Sequence, residues 1–171
     1  MSESRGRDVE VWKKLTANDL GHTGSHQAGI HVPKQPEILR FFPMLDEESY
    51  NPECEIAVRL EPGGRCLAVR YIHYNGKLTR DGTRNEYRLT RTAKIFRTVT
   101  ALPGDLLRFR WLPSGEMEIS LHHDDASRGG PPRPCADDSS PKSATGSSRE
   151  IGSSNDWTVI QVVLPLRTER E

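Results

Sequence analysis

Residues Glu55 to Leu60 (EIAVRL) alternate polar and apolar, and the run stops at Pro62-Gly63-Gly64. A period of two puts every second side chain on one face of a strand, so half the run is buried and half solvated. Runs of this kind recur along the chain, at Val9–Trp12, Ala28–Val32, Arg65–Tyr74, Tyr87–Leu89, Ala93–Val99, Leu106–Leu112, Glu116–Leu121 and Trp157–Leu166. Asn75-Gly76 and Pro113-Ser114-Gly115 supply turn residues between them. One helix signal stands out. Pro36 fits a first turn, Ile38, Leu39, Phe41 and Phe42 form an apolar face, and Pro43 ends it. A weaker helical turn is expected at Pro103-Gly104-Asp105. Many short strands punctuated by turns predict a mainly β domain with short helices, a barrel or a sandwich.

One segment breaks the pattern. Asp124 to Asp156 spans 33 residues with eight Ser, four Gly and four Pro. It holds too little apolar surface to offset the entropy of ordering it, so a disordered loop or linker is expected there. The expected organisation is a flexible N-terminus over 1–8, a domain over 9–123, this linker over 124–156, a final strand over 157–166 and a flexible C-terminus over 167–171.

Cys54, Cys66 and Cys135 are odd in number and lack C-x-x-C spacing, which excludes a disulfide scaffold and a cysteine-based zinc ribbon. No run of apolar residues is long enough for a membrane-spanning helix. The charged first ten residues do not read as a secretory signal. A cytoplasmic protein with no membrane association is expected. Net charge is zero, but it is partitioned. Arg65 to Arg97 carries nine Lys/Arg against Asp81 and Glu86, whereas Glu37 to Glu61 carries seven acids against Arg40 and Arg59. Such a chain can present a basic face to nucleic acid, or merely a solvated strand surface.

Familiar catalytic patterns are absent. No lysine is preceded two residues earlier by an acid, as acid-x-Lys nucleases require, and no histidine is followed two residues later by lysine. There is no G-x-S-x-G elbow and no Walker lysine. His22, His26 and His31 sit among glycines that spoil any helical spacing, and His122-His123-Asp124-Asp125 closes a strand. No catalytic residue, metal site or cofactor is expected.

Two segments carry chemistry suited to DNA. Lys13 to Lys34 is glycine-rich and small-polar, with Gly21, Gly24 and Gly29 among Lys14, Thr16, Asn18, Thr23, Ser25, His26, Gln27, His31 and Lys34. Such a loop can bring backbone N–H groups close to phosphate, though it also reads as a plain surface loop. Gly82 to Arg91 (GTRNEYRLTR) offers Arg84, Asn85, Glu86, Tyr87, Arg88 and Arg91. Arginine suits the guanine Hoogsteen edge, asparagine adenine, and glutamate the cytosine amine. An acid within a basic run repels phosphate, so Glu86 either reads a base, orients an arginine, or forms a surface ion pair worth about 0–1 kcal/mol.

Lys14 to Pro33 (KLTANDLGHTGSHQAGIHVP) and Thr83 to Arg88 (TRNEYR) resemble, in order and separation, the two signatures of the N-terminal effector-DNA-binding domain of EcoRII-type restriction endonucleases. The resemblance covers roughly Val11 to Leu121. It implies an open seven-stranded DNA-binding pseudobarrel like the plant B-three domain, which grips the major groove with two arms. Here those arms fall at about Thr16 to His31 and Gly82 to Arg91, with His26 and His31 facing DNA on the first. Arg84, Glu86, Tyr87 and Arg88 on the second would supply base and backbone contacts. The implied partner is a short, C/G-rich double-stranded site. Members often carry Lys where this chain has Gly82 and Tyr87, and an aromatic where it has His31.

The expectation is therefore a sequence-specific DNA-recognition module that does not catalyse by itself, with a separately encoded nuclease as a candidate partner. The alternatives are a type II endonuclease with an unrecognised active site and a protein-interaction module.

Overall fold

A computed structural model describes residues 9–23, 29–80, 82–124, 148–154 and 156–162. Among these residues nine strands form one sheet: β1 (Val9–Lys14), β2 (Ile30–Val32), β3 (Glu53–Glu61), β4 (Arg65–Tyr74), β5 (Glu86–Thr90), β6 (Leu106–Trp111), β7 (Met117–His122), β8 (Ser148–Ser154) and β9 (Trp157–Val162). Three short helices accompany them: α1 (Pro36–Leu39), α2 (Gly76–Thr79) and α3 (Ala93–Val99). The strand order is β2-β5-β4-β3-β7-β6-β1-β9-β8. Only β3 and β7 pair in parallel; the other neighbours are antiparallel. The mainly β expectation holds, with nine strands among the described residues rather than seven.

The sheet is curled, and side chains show it. In a flat sheet the seven spacings from β2 to β9 would hold those strands about 34 Å apart. Yet the Trp157 indole N–H on β9 donates to the His31 carbonyl on β2 at 3.1 Å. Phe42, just after α1, fills the space enclosed. It stacks on Tyr71 of β4 at 5.0 Å and meets Trp157 and Phe109 edge-on at 6.2 and 6.4 Å. The alternation read in the sequence produces this core: Ile56, Val58 and Leu60 are buried while Glu55, Ala57 and Arg59 face out.

Three local expectations change. Ala93–Val99 is a helix, not a strand: Thr92 precedes it, Thr100 ends it in the left-handed region (φ 53°), and Ile95, Phe96 and Val99 share a face at helical spacing. Asn75-Gly76 opens α2 rather than a two-residue hairpin. Ser148–Ser154, expected within the linker, forms β8 against β9. Composition counts side chains that can be buried, but ladder pairing satisfies backbone groups and needs no apolar side chain. Residues 1–8, 125–147, 155 and 163–171 lie outside the described residues.

Candidate nucleic-acid interface

The first candidate arm leaves β1 through a tight turn. The backbone N–H and hydroxyl of Thr16 donate to Asp19 Oδ2 at 2.9 and 2.8 Å, and the Asp19 N–H returns to the Thr16 hydroxyl at 3.2 Å. Gly21, at φ 76°, ends the turn in a conformation glycine tolerates best. Exposed Asn18 accepts from the Thr23 hydroxyl at 3.0 Å. Ser25, His26 and Gln27 lie outside the described residues. The arm rejoins the sheet at Gly29, where an added Cβ would meet the Leu89 carbonyl oxygen at 2.3 Å.

The second arm feeds β5, and strand alternation sorts its residues. His31 pairs across the ladder with Arg88, and Glu86 lies two residues along the same face. Tyr87 points the other way. It stacks on His73 at 3.9 Å and on Tyr71 at 5.8 Å. Burial, then the Glu47 charge, raises the Tyr87 pKa, so its phenol is neutral. Arg88 is 3% exposed, with Nη2 donating to the Gly29 carbonyl at 3.0 Å and Nη1 3.5 Å from Glu86 Oε1. Despite that ion-pair distance, Glu86 Oε1 is buried and has no hydrogen-bond partner among the described residues.

The remaining expected residues divide. Arg84 is exposed over the Tyr74 ring, 5.3 Å from its centroid. Lys14 and Lys34 are exposed. Asn85 is partly buried, its Oδ1 3.0 Å from His73 Nε2, so it faces inward with Tyr87 rather than toward a base. Arg91 sits beyond the far end of β5, 3.0 Å from Glu55. Thus Arg88 is buried and Tyr87 and Asn85 are partly buried, whereas Arg91 is exposed and paired with Glu55. Pairing also spends the charge partition: Glu53 and Glu55 of β3 meet Arg70 and Arg91 at 3.1 and 3.0 Å. Lys77, Arg80 and Arg84 are exposed as well.

His31 is exposed at its edge and flanked by charge. Burial, together with Arg88 and Lys13, lowers its pKa against the opposing pull of Glu86 and Asp19. Its imidazole is neutral near pH 7, offering one donor and one acceptor.

The family model described as Restriction endonuclease EcoRII, N-terminal matches residues 6–121. The chain belongs to that family.

As an EcoRII N-terminal domain it is similar to two solved structures. One is the crystal structure of the UbaLAI restriction endonuclease B3 domain with cognate DNA, at 19% identity and TM-score 0.44, over 67% of this chain and 65% of that one. The other is the Arabidopsis FUS3–DNA complex, at 16% identity and TM-score 0.49, over 66% of this chain and 94% of that one. The chain thus spans 65% of the length of the UbaLAI chain. No curated protein matches it.

The structure also brings together polar residues that sequence reading passed over, two of them beyond the matched span. Lys13 is 3% exposed, with Nζ 2.9 Å from Asp19 and 3.4 Å from Asp156. With Thr16, Asn18, His31 and Trp157 these residues line a polar cleft of about 200 Å³. Two carboxylates and a lysine invite comparison with a nuclease centre, but here the ammonium lies between the carboxylates as their counter-ion. Among the described residues no three His, Cys, Asp or Glu side chains are grouped to hold a metal. No helix among them is long and apolar enough to cross a membrane.

Proposed function

We propose that this EcoRII N-terminal domain is a sequence-specific double-stranded DNA-binding module that reads a short, C/G-rich site through the major groove. The carrying observation is the Glu86 side chain, 21% exposed on the same face of β5 as His31, with Oε1 buried beside Arg88. A carboxylate held there suits a cytosine amine. Exposed Arg84 is placed for guanine or phosphate, and neutral His31 for a base edge. Lys14 and Lys34 supply phosphate contacts on the first-arm side. Buried Arg88 joins the two arms, because its bond to Gly29 runs from β5 to the end of the first arm.

The module acts in the cytoplasm, where the duplex is accessible, and cleavage belongs to a separate nuclease. Selection from a randomised duplex pool at about 0.15 M salt, without and with Mg²⁺, tests this. One enriched motif with intact DNA is the expected result. Mg²⁺-dependent cutting would move the chain to the endonucleases, and no enrichment would sink the reading.

A further inference from the structure

The family match ends at residue 121, yet the candidate reading face is held by residues beyond it. Asp156 and Trp157, at the start of β9, make three connections into that face. The Asp156 carbonyl accepts the Lys14 N–H at 2.7 Å, at the root of the first arm. The Asp156 carboxylate lies 3.4 Å from Lys13 Nζ, which lies 2.9 Å from Asp19, the residue that closes the Thr16 turn. The Trp157 indole donates to the His31 carbonyl at 3.1 Å while its ring stacks on Phe109 at 5.8 Å. Lys13 and Asp19 are both more than nine-tenths buried, and a buried ammonium keeps its place only while its counter-charges keep theirs. The Asp156 side chain is 43% exposed, so it can be altered without opening the core.

We propose that Asp156 and Trp157 are positioning residues for DNA recognition, and that the β8–β9 hairpin clamps the first-arm root and His31 in reading geometry. This rests on the DNA-binding function proposed above. The clamp makes the hairpin part of the recognition unit. It also gives Asp156 a sign that simple electrostatics does not share. A carboxylate acting only through its field would repel phosphate, and neutralising it would tighten binding to every duplex. A carboxylate acting through Lys13 does the reverse: neutralising it loosens the arm and weakens binding to the recognised sequence alone.

The test uses the full chain, the duplex recovered by selection and a scrambled duplex, read by fluorescence anisotropy at about 0.15 M salt. Asp156→Asn is expected to lose about tenfold in affinity for the selected duplex while scrambled binding changes less than about twofold. Asp156→Glu restores most of the loss. Trp157→Phe keeps a ring but removes the indole donor, and loses selectivity in the same sense. In a Lys13→Gln background Asp156→Asn has no further effect, because the two act through one contact. The His31 ring resonances of the DNA-free protein shift in Asp156→Asn, a signature that general loss of stability does not produce. Selected-duplex binding by Asp156→Asn that equals or exceeds the parent's overturns the clamp, as do losses that simply add to those of Lys13→Gln. If Trp157→Phe fails to fold, Asp156→Asn still decides. A parent that enriches no sequence sinks the DNA reading and the clamp with it; a parent that enriches one while every variant matches it sinks the clamp alone.

Discussion

Arg88 reaches from β5 to the carbonyl oxygen of Gly29, 3.0 Å away, tying the strand of the second arm to the residue where the first arm ends. The two residues are 59 positions apart, and their contact is buried. The guanidinium that looked like a base reader is a strut between the arms. Under the proposed function, base reading on this face falls to the groups beside it: Glu86, His31 and Arg84.

Arg88→Ala and Arg84→Ala therefore separate. Removing the strut leaves the Gly29 carbonyl unbonded and Glu86 without its cation. That costs about 2 kcal/mol of folding stability, visible as a lower urea midpoint, and lowers affinity for DNA as the arms loosen. Arg84→Ala leaves the midpoint unchanged. It weakens binding to all duplexes and flattens the salt dependence by about one unit of slope if Arg84 meets phosphate. A stable Arg88→Ala with a pure salt-slope effect would reverse the two roles.

Glu86→Ala removes the carboxylate 3.5 Å from buried Arg88, so some folding stability is lost with it. Repeating the binding-site selection with this variant should show relaxed preference at one cytosine position, a loss of about 1–3 kcal/mol of discrimination there, with nonspecific affinity equal or slightly higher. Unchanged preference at every position would remove Glu86 from the reading set.

Tyr87 belongs to the packing. Tyr87→Phe keeps the stack on His73 and should leave both stability and DNA binding near parent values. Tyr87→Ala opens that stack and costs about 2–4 kcal/mol in denaturant unfolding. A Tyr87→Phe variant that folds normally but loses DNA affinity would return the phenol to the interface.

His31 has a sign that can be worked out. Its pKa in the folded protein lies below 6.5, chiefly through burial, so the unfolded chain takes up the proton first as pH falls. The stability that comes from keeping His31 neutral is thus complete above about pH 6.5 and declines as pH drops below it. Across pH 8 to 5, the unfolding midpoint of the parent should fall relative to that of His31→Gln. Parallel curves would mean that His31 does not titrate differently on folding.

Much of the architecture was legible locally. Glu55–Leu60 and Arg65–Tyr74 are strands because period-two alternation and β-branched residues describe a half-buried pleated surface wherever the strand sits in the sheet. Two errors were local as well. In Ala93–Val99 a short apolar run satisfied both periods, and the Ile95–Val99 spacing was the signal that decided for helix. In Glu86-Tyr87-Arg88 strand alternation places Tyr87 opposite its neighbours, which residue types alone do not reveal.

By itself the sequence determined the strand-rich class, the two polar segments flanking β2 and β5, and membership of the EcoRII N-terminal family, since each depends on neighbours within a few residues or on a contiguous signature. Tertiary structure alone decided which polar groups are spent and which stay open. Asp156 meets Lys13 across 143 residues, and Trp157 meets His31 across 126. Those contacts exist because the sheet curls until its distant strands touch. The curl is a sum of strand twists and core packing around Phe42, which no local pattern encodes.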